Sequence, residues 1–189
     1  WTRCNKSYYI PWIIKVNGIV VHELDLKDKH IRVSLDSKSI GDTLAWAPQV
    51  VRFSKKYKCK VSLSTFHNEW FEGLEEYKDI KFVKPDAPTK GYAHYKIGWF
   101  KKDNKWDKGN RNKKQPNTVP LIQCITDILG LDYKEVNYGV NFKPGPRPIK
   151  ERYICIGPRS TSGLKEWPYD KWRELTEKLY NQGFKIINL

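Results

Sequence analysis

The fold is decided by residues 30–65, which read HIRVSLDSKSIGDTLAWAPQVVRFSKKYKCKVSLST. The two ends of this stretch are short and apolar, and we predict buried strands over 30–36 and 59–65. Between them apolar residues recur at helical spacing, which predicts a helix from Asp42 to about Lys56. Pro48 falls early in this helix and predicts a late start or a kink. Strand, helix and strand in this order indicate a parallel pair joined by a crossover helix.

The same alternation continues downstream. We predict a second helix over 67–77 and a third strand over 80–84, closed by Pro85. Residues 86–117 are polar and rich in Lys, Gly and Pro, and we interpret them as a long loop. A helix follows over 120–129, with Pro120 suited to its first turn and Gly130 to its end. The pattern predicts the α/β class, with a parallel sheet covered by helices.

Three further segments complete the predicted domain organisation. Residues 8–16 and 19–26 flank Asn17-Gly18, a pair typical of tight hairpin turns, so residues 1–29 are predicted to form a β-hairpin extension. A Pro-rich linker over 141–150 separates a Rossmann-like domain, 30–140, from a second one that starts at 151. In the second we predict a strand over 152–157, a helix from Pro168 or Tyr169 to about Asn181, and a strand over 184–189. Since the chain lacks Met and ends in a strand-like run, we expect a segment of a longer protein.

Composition excludes several classes of protein. Aromatic residues make up 14% of the chain, which excludes wholesale disorder, and no apolar run is long enough to span a bilayer as a helix. Cys4, Cys59, Cys124 and Cys155 are far apart, without the spacing of a metal site. We therefore expect no metal in this segment and reduced thiols in a cytoplasmic protein, with Cys59 and Cys155 buried in strands.

The net charge of +14 favours an anionic partner. Much of the excess lies in residues 101–114, which contain seven Lys or Arg and only two Asp. Trp106 is the one aromatic residue of this run. A nucleic-acid groove would interleave several aromatic residues, so we interpret the run as a solvated loop. The alternative is a non-catalytic, basic binding module for nucleic acid or an acidic glycan.

Two junctions between a strand and a helix carry residues suited to chemistry. Each would aim helix N-terminal amides at an anion, although the P-loop pattern is absent. At the first, Asp42 has two interpretations: a helix N-cap, or a general base facing a cleft. At the second, the hydroxyls of Ser160, Thr161 and Ser162 together with Lys165 would suit a diphosphate.

Taken together these segments resemble the heptosyltransferase group of GT-B glycosyltransferases, and in particular the bacterial autotransporter heptosyltransferases, which glycosylate serines of surface adhesins. The likeness is carried, in family order, by residues 34–48 (SLDSKSIGDTLAWAP), 64–69 (STFHNE), 95–100 (YKIGWF), 127–131 (DILGL) and 165–168 (KEWP).

The resemblance implies two Rossmann-like domains that face a cleft. Residues 30–140 would bind the acceptor, and residues 151–189 would begin the domain that binds a nucleotide-activated heptose, usually ADP-heptose. In the wider group the Asp of the Gly-Asp pair is the catalytic base, which here is Asp42. The Lys before Trp-Pro, here Lys165, contacts the donor phosphate together with the hydroxyl loop. Transfer would invert the anomeric centre in a single displacement, without a divalent metal.

Four residues are candidates for the acceptor cleft: Ser39, Gly41, His67 and Asn68. Asn68 has the alternative role of capping the second predicted helix. His94, Tyr95 and Trp99 either join the cleft or pack in the core.

The resemblance also sets the expected partners. They are a nucleotide-sugar donor and an acceptor protein or glycan, while nucleic acid is not the expected partner; a homo-oligomer is left open. Family members bind iron through cysteines in a C-terminal region, and the cysteines of this chain do not match that cluster. A lipopolysaccharide-core acceptor and another nucleotide-sugar are the alternatives within the enzyme class.

Overall fold

A computed structural model describes residues 6–88, 90–102, 105–106, 111–160 and 163–189. The chain divides into two compact units, one reaching Phe142 and the other starting at Lys143. Residues 103–104 and 107–110 of the basic run 101–114 lie outside the described residues, as does Cys4.

The first unit opens with the predicted hairpin. Strands β1 (Ile13–Val16) and β2 (Ile19–Glu23) pair antiparallel around Asn17-Gly18, where both residues have positive φ. Both strands are shorter than the sequence predicts. Most of their side chains are exposed, so the hairpin gains little from burial.

A parallel sheet forms the centre of the first unit. Strands β3 (His30–Leu35), β4 (Lys60–Ser64), β5 (Ile80–Phe82) and β6 (Ala93–Ile97) lie in the order β5-β4-β3-β6. All three pairings are parallel. The predicted α/β class with a parallel sheet is therefore confirmed, and a strand that the sequence analysis treated as loop, β6, forms one edge.

Helix α1 (Ile40–Tyr57) crosses from β3 to β4 and begins earlier than predicted. Its buried face, which includes Trp46, Val50 and Phe53, packs on the same core as Ile31 and Val33 of β3. Pro48 lies inside the helix, which starts eight residues before it, so the predicted late start is wrong. Proline removes only one backbone donor, and burial of this apolar face offsets that loss.

The helix predicted over 67–77 is wrong. The segment contains two single 3₁₀ turns, Asn68–Trp70 and Glu75–Tyr77, separated by Gly73 at a φ of +84°. Phe71 and Tyr77 are buried against each other and against Phe82, so the apolar spacing reflects an aromatic cluster instead of a helix face.

Further along, β7 (Lys101–Lys102) and β8 (Lys105–Trp106) form a short antiparallel pair, and a 3₁₀ turn covers Pro116–Thr118. Helix α2 (Leu121–Leu129) packs against α1 and β6. It ends at Gly130 in the left-handed conformation, as predicted.

The second unit is a single βαβ arrangement. Strands β9 (Tyr153–Ile156) and β10 (Lys185–Asn188) pair parallel, and α3 (Tyr169–Asn181) connects them. Cys59 is buried as predicted, but Cys155 of β9 is exposed, which corrects the prediction for it. None of the helices in the described ranges is long and apolar enough to cross a membrane.

Candidate functional site

The order of the central sheet creates a crevice at one defined place. From β3 the chain crosses to β4 on one side, and later returns to place β6 on the other side of β3. In parallel sheets of this kind ligands bind beyond the carboxyl ends of the strands, where the order reverses. Here that point lies beyond Leu35 of β3 and Ile97 of β6, which are paired in the sheet.

Asp42 occupies this crevice. It is the third residue of α1 and only 8% exposed. Its Oδ2 accepts a hydrogen bond of 2.6 Å from the Ser37 hydroxyl, and another of 2.6 Å from the indole Nε1–H of Trp99. Ser37 follows β3 and Trp99 follows β6, so the carboxylate joins the two sides of the crevice.

The N-cap interpretation of Asp42 is wrong. The cap position belongs to Ser39, which makes no side-chain cap hydrogen bond, and the partners of the Asp42 carboxylate within the described ranges are side chains and not helix amides. Asp42 still lies in the first helical turn, where the helix dipole favours negative charge. Its carboxylate is therefore positioned by tertiary partners, of which sequence reasoning noted only Trp99 as a cleft candidate and missed Ser37.

One oxygen of Asp42 is available. Within the described ranges Oδ1 accepts no hydrogen bond, and it is not among the buried atoms without a partner, so it reaches solvent. A carboxylate with one oxygen fixed by two donors and the other open can accept a proton from a hydroxyl group placed in the crevice.

The structure places Ser39 and Gly41 at the start of α1, Ser39 at the cap position and Gly41 in the first turn, and both are exposed. The nearest atom to a Cβ built on Gly41 is the Ser39 Oγ at 4.0 Å, so the approach to this backbone is open. Beside them, the Lys38 Nζ lies 5.5 Å from the centre of the Phe66 ring.

His67 and Asn68 follow β4, but the structure uses them differently. His67 Nε2 lies 3.2 Å from the Lys38 carbonyl oxygen, and its ring stacks on Trp70. Both ends of the Asn68 amide bond the backbone, accepting from Thr65 N–H and donating to the Val83 carbonyl. His67 thus adjoins the 37–43 loop, whereas Asn68 holds two loops together and caps no helix.

In the second unit a pocket of about 360 Å³ lies at the carboxyl ends of β9 and β10. Its lining includes Arg159, Glu166, Trp167 and Arg173. Trp172 also lines it, and its Nε1 is buried without a hydrogen-bond partner among the residues that the structure describes. Two guanidinium groups and an unused donor give this pocket the chemistry of an anion site. Arg173, on α3, was missed because an exposed helix Arg has no distinctive sequence signal.

Two of the predicted donor residues, Ser160 and Lys165, are next in sequence to residues that line this pocket, Arg159 and Glu166. Ser160 N–H donates to Glu166 Oε1 at 2.9 Å, which closes the loop before α3. Lys165 ends a 3₁₀ turn, Gly163–Lys165, and is exposed beside the pocket-lining Glu166. Thr161 and Ser162 lie outside the described residues.

The described cysteines are not grouped as metal ligands. Across the part of the chain that the structure describes, no three His, Cys, Asp or Glu side chains lie close enough to hold a metal ion. Burial raises the pKa of the Cys59 and Cys124 thiols to about 11, which keeps both protonated at neutral pH. These two residues do not fit a thiolate-bound metal.

No family model matches this chain. Individual curated proteins do match it, over nearly its whole length. The autotransporter heptosyltransferase TibC of Escherichia coli O78:H11 is 27% identical over 99% of this chain and 47% of its own length. The autotransporter heptosyltransferase BAHTCr of Citrobacter rodentium is 26% identical over 99% of this chain and 47% of its own length. BimC of Burkholderia thailandensis, named an inactive autotransporter heptosyltransferase, is 24% identical over 96% of this chain and 44% of its own length.

Solved structures agree on the fold. A dodecameric, iron-containing TibC structure matches with a TM-score of 0.78 at 24% identity, covering 98% of this chain and 49% of that one. A TibC complex with ADP-D-beta-D-heptose matches with a TM-score of 0.80 at 24% identity. This match covers 100% of this chain and 50% of the TibC chain. The predicted resemblance to autotransporter heptosyltransferases is thus confirmed, and the chain spans about half the length of the relatives it matches.

Proposed function

We propose that this chain supplies the acceptor domain and the start of the donor domain of a heptosyltransferase. The reaction is transfer of a heptose from ADP-heptose to an acceptor hydroxyl, a serine of a protein. The observation that carries the proposal is the Asp42 carboxylate, fixed by Ser37 and Trp99 at the reversal point of the sheet with one oxygen open. The similarity to named heptosyltransferases supports the same conclusion.

Asp42 acts as the general base. As the acceptor oxygen attacks the anomeric carbon, its proton passes to Asp42 Oδ1 and the bond from that carbon to the diphosphate oxygen breaks. The Ser37 and Trp99 donors hold the carboxylate in place throughout. A positioned base of this kind contributes roughly 10²–10⁴-fold to the rate.

Cations of the second unit stabilise the departing diphosphate. Lys165, Arg159 and Arg173 supply positive charge, and the hydroxyl of Ser160 supplies a hydrogen bond, with Thr161 and Ser162 in the same loop. Such charge stabilises the leaving group most when the bond to carbon is breaking.

A single displacement inverts the anomeric centre. The donor in the TibC complex is ADP-D-beta-D-heptose, so the same donor would here give an α-linked product. The linkage is read from the anomeric carbon–hydrogen coupling of the product, and a β-linked product would contradict single displacement.

The proposal is tested by mixing the purified protein with ADP-heptose and either a serine-rich adhesin repeat or a lipopolysaccharide core oligosaccharide. Intact mass should show heptose-sized additions on the repeat. Additions on the oligosaccharide alone would move the acceptor to a glycan. If neither acceptor gains mass although the protein binds ADP-heptose, heptose transfer is contradicted.

Lys165→Ala tests the donor assignment. We expect weaker binding of ADP-heptose, measured by calorimetry, since a charge-assisted hydrogen bond to phosphate is lost. Lys171→Ala is the matched control, because Lys171 is an exposed lysine of α3 that pairs with Glu174. Equal affinity in the Lys165 variant and the control would contradict the role of Lys165.

A further inference from the structure

One face of the central sheet is polar where a core would be apolar. Ile31, Val33 and Leu35 of β3 are buried in the hydrophobic core with α1. Because side chains alternate along a strand, Arg32 and Ser34 point to the opposite face. There they meet His94, whose Nε2 lies 2.9 Å from the Ser34 Oγ.

A pocket of about 350 Å³ opens on this face, at the carboxyl ends of β3, β4 and β6. Its lining includes Arg32, Ser34, His94, Lys96 and Phe66. Asp36, which precedes the Ser37 that bonds Asp42, belongs to the same lining. The pocket therefore adjoins the segment that holds the proposed base.

Arg32 is the unusual residue of this pocket. It is a permanently charged side chain that is only 4% exposed. Its Nη2 donates to the Lys84 carbonyl at 3.0 Å, and its Nε donates to the Ser34 Oγ at 3.4 Å. Both acceptors are neutral, and within the described ranges no carboxylate pairs with it.

A buried guanidinium without a counter-ion is costly, because burial removes water from a charge that nothing neutralises. The carboxylates on the lining do not remedy this. Asp36 lies 3.8 Å from Lys96 Nζ instead, and Asp86 is exposed. Within the described ranges the Nη1 of Arg32 makes no hydrogen bond, and it is not among the buried atoms without a partner, so it keeps some exposure to solvent in a side chain that lines the pocket.

We propose that this pocket binds an oxyanionic group, a carboxylate or a phosphate, carried by the acceptor. The open Nη1 of Arg32 can donate a charge-assisted hydrogen bond to an oxygen of such a group, and Lys96 at the rim adds positive charge. His94 contributes a neutral hydrogen-bonding ring. The assignment to the acceptor rests on the proposed function, in which the donor diphosphate binds in the second unit.

The binding step is tested without turnover, so its outcome is separate from that of the transfer assay. The melting temperature of the purified protein is followed during titration with methyl phosphate or acetate, each balanced by chloride to constant ionic strength. We expect a saturable rise with at least one of the two probes. If only methyl phosphate gives a saturable rise, the group that the pocket binds is a phosphomonoester. If only acetate does, the group is a carboxylate.

Variants locate the site. Arg32→Gln should weaken the binding roughly tenfold or more, since a charge-assisted hydrogen bond is lost. The matched control is Arg52→Gln: Arg52 also bonds backbone carbonyls, those of Asp132 and Lys134, and lies outside the pocket lining. Should Arg32→Gln fail to fold, Lys96→Gln at the exposed rim should still weaken binding several-fold.

Three results would overturn the proposal. The first is a rise in melting temperature without saturation, which is a general salt effect. The second is equal saturation in wild type and Arg32→Gln, which would leave Arg32 only as a clamp on the Lys84 carbonyl. The third is displacement of the probe by ADP, which would assign the pocket to the donor.

Discussion

At the scale of single residues, the central feature is the pairing of Asp42 with Ser37 and Trp99. Both donor–acceptor distances are 2.6 Å, which for the Ser37 hydroxyl is the range of a charge-assisted O–H···O hydrogen bond. Both donors approach the same oxygen, so rotation of the carboxylate is prevented while Oδ1 stays open. The two partners act through Asp42 and are positioning residues in this account.

Trp99→Phe removes the indole donor and keeps an aromatic ring against Trp46, whose centroid lies 5.7 Å away. We expect the turnover rate kcat to fall roughly 10–100-fold, because a hydrogen bond to a charged group contributes about 1.5–3 kcal/mol. The KM for ADP-heptose should stay unchanged, since the donor is bound elsewhere. Steady-state kinetics measure both constants.

Ser54→Ala is a control for the companion variant Ser37→Ala. Ser54 lies on the same helix as Asp42 and donates to the Cys59 carbonyl, far from the crevice. A rate loss in Ser37→Ala and none in Ser54→Ala supports positioning of Asp42. Equal rates in wild type, Trp99→Phe and Ser37→Ala would contradict it.

His94 predicts a pH dependence of stability. Burial, with the nearby charges of Arg32 and Lys96, lowers the pKa of His94 below its ordinary value of 6.5. The folded protein therefore holds a neutral imidazole at a pH where the unfolded chain already binds a proton. This contribution to the free energy of unfolding is lost as pH falls below about 6.5.

The measurement is the melting temperature of wild type and His94→Gln between about pH 7.5 and about pH 5.5, where carboxylates titrate little. Gln keeps a hydrogen-bonding group near Ser34 and does not titrate. Wild type should lose more stability on acidification than the variant. Parallel curves would contradict the assigned shift.

At the scale of elements, the end of α2 shows a packing constraint as well as a turn. Gly130 has a φ of +65°, and a Cβ there would overlap the Tyr9 ring and lie 2.8 Å from the Tyr57 hydroxyl. Tyr9 N–H also donates to the Ile128 carbonyl, and Tyr57 donates to the Gly130 carbonyl. This junction fastens the segment before the hairpin to both helices.

Gly130→Ala should lower the free energy of unfolding by more than the ~1–2 kcal/mol of a left-handed alanine, because the Tyr9 ring must also move. Gly139→Ala is matched, since Gly139 has a φ of +75° and no atom within 4 Å of a built Cβ. Urea unfolding of the two variants separates backbone strain from packing. Equal losses would contradict the packing of Tyr9 on Gly130.

Elements whose pattern is local were predictable from the sequence. The apolar runs of β3 and β4 and the helical spacing of α1 and α2 are properties of single segments. Strand β6 was not, because Ala93–Ile97 alternates polar and apolar residues inside a Lys-rich stretch and is defined by its pairing with β3. The helix prediction over 67–77 was wrong because the aromatic residues of this segment recur at helical spacing although they pack as a cluster in the core.

The residues of the candidate site likewise differ in whether the sequence could predict them. Asp42 could be singled out by its place at a loop-to-helix junction and by the family resemblance. Ser37 could not, since its hydroxyl becomes significant only when the loop folds back on α1. Arg32 could not either, because burial of a charge on the second face of the sheet depends on β6 and on the segment around Lys84.

At the scale of the whole molecule, similarity alone does not settle catalysis. Named heptosyltransferases and one relative named inactive match this chain at 24–28% identity. They differ in reported activity although the extent of the match is nearly the same. The chemistry must therefore be tested through the residues of the crevice.

The most direct test is the transfer rate of Asp42→Asn, measured with ADP-heptose and a serine-rich adhesin repeat by intact mass. Asn keeps the shape of the side chain and an oxygen for Ser37 and Trp99, but it is too weak a base to take the proton. The account predicts a rate loss of roughly 10²-fold or more, with unchanged ADP-heptose affinity and melting temperature. Transfer at the wild-type rate by a folded Asp42→Asn protein would contradict it.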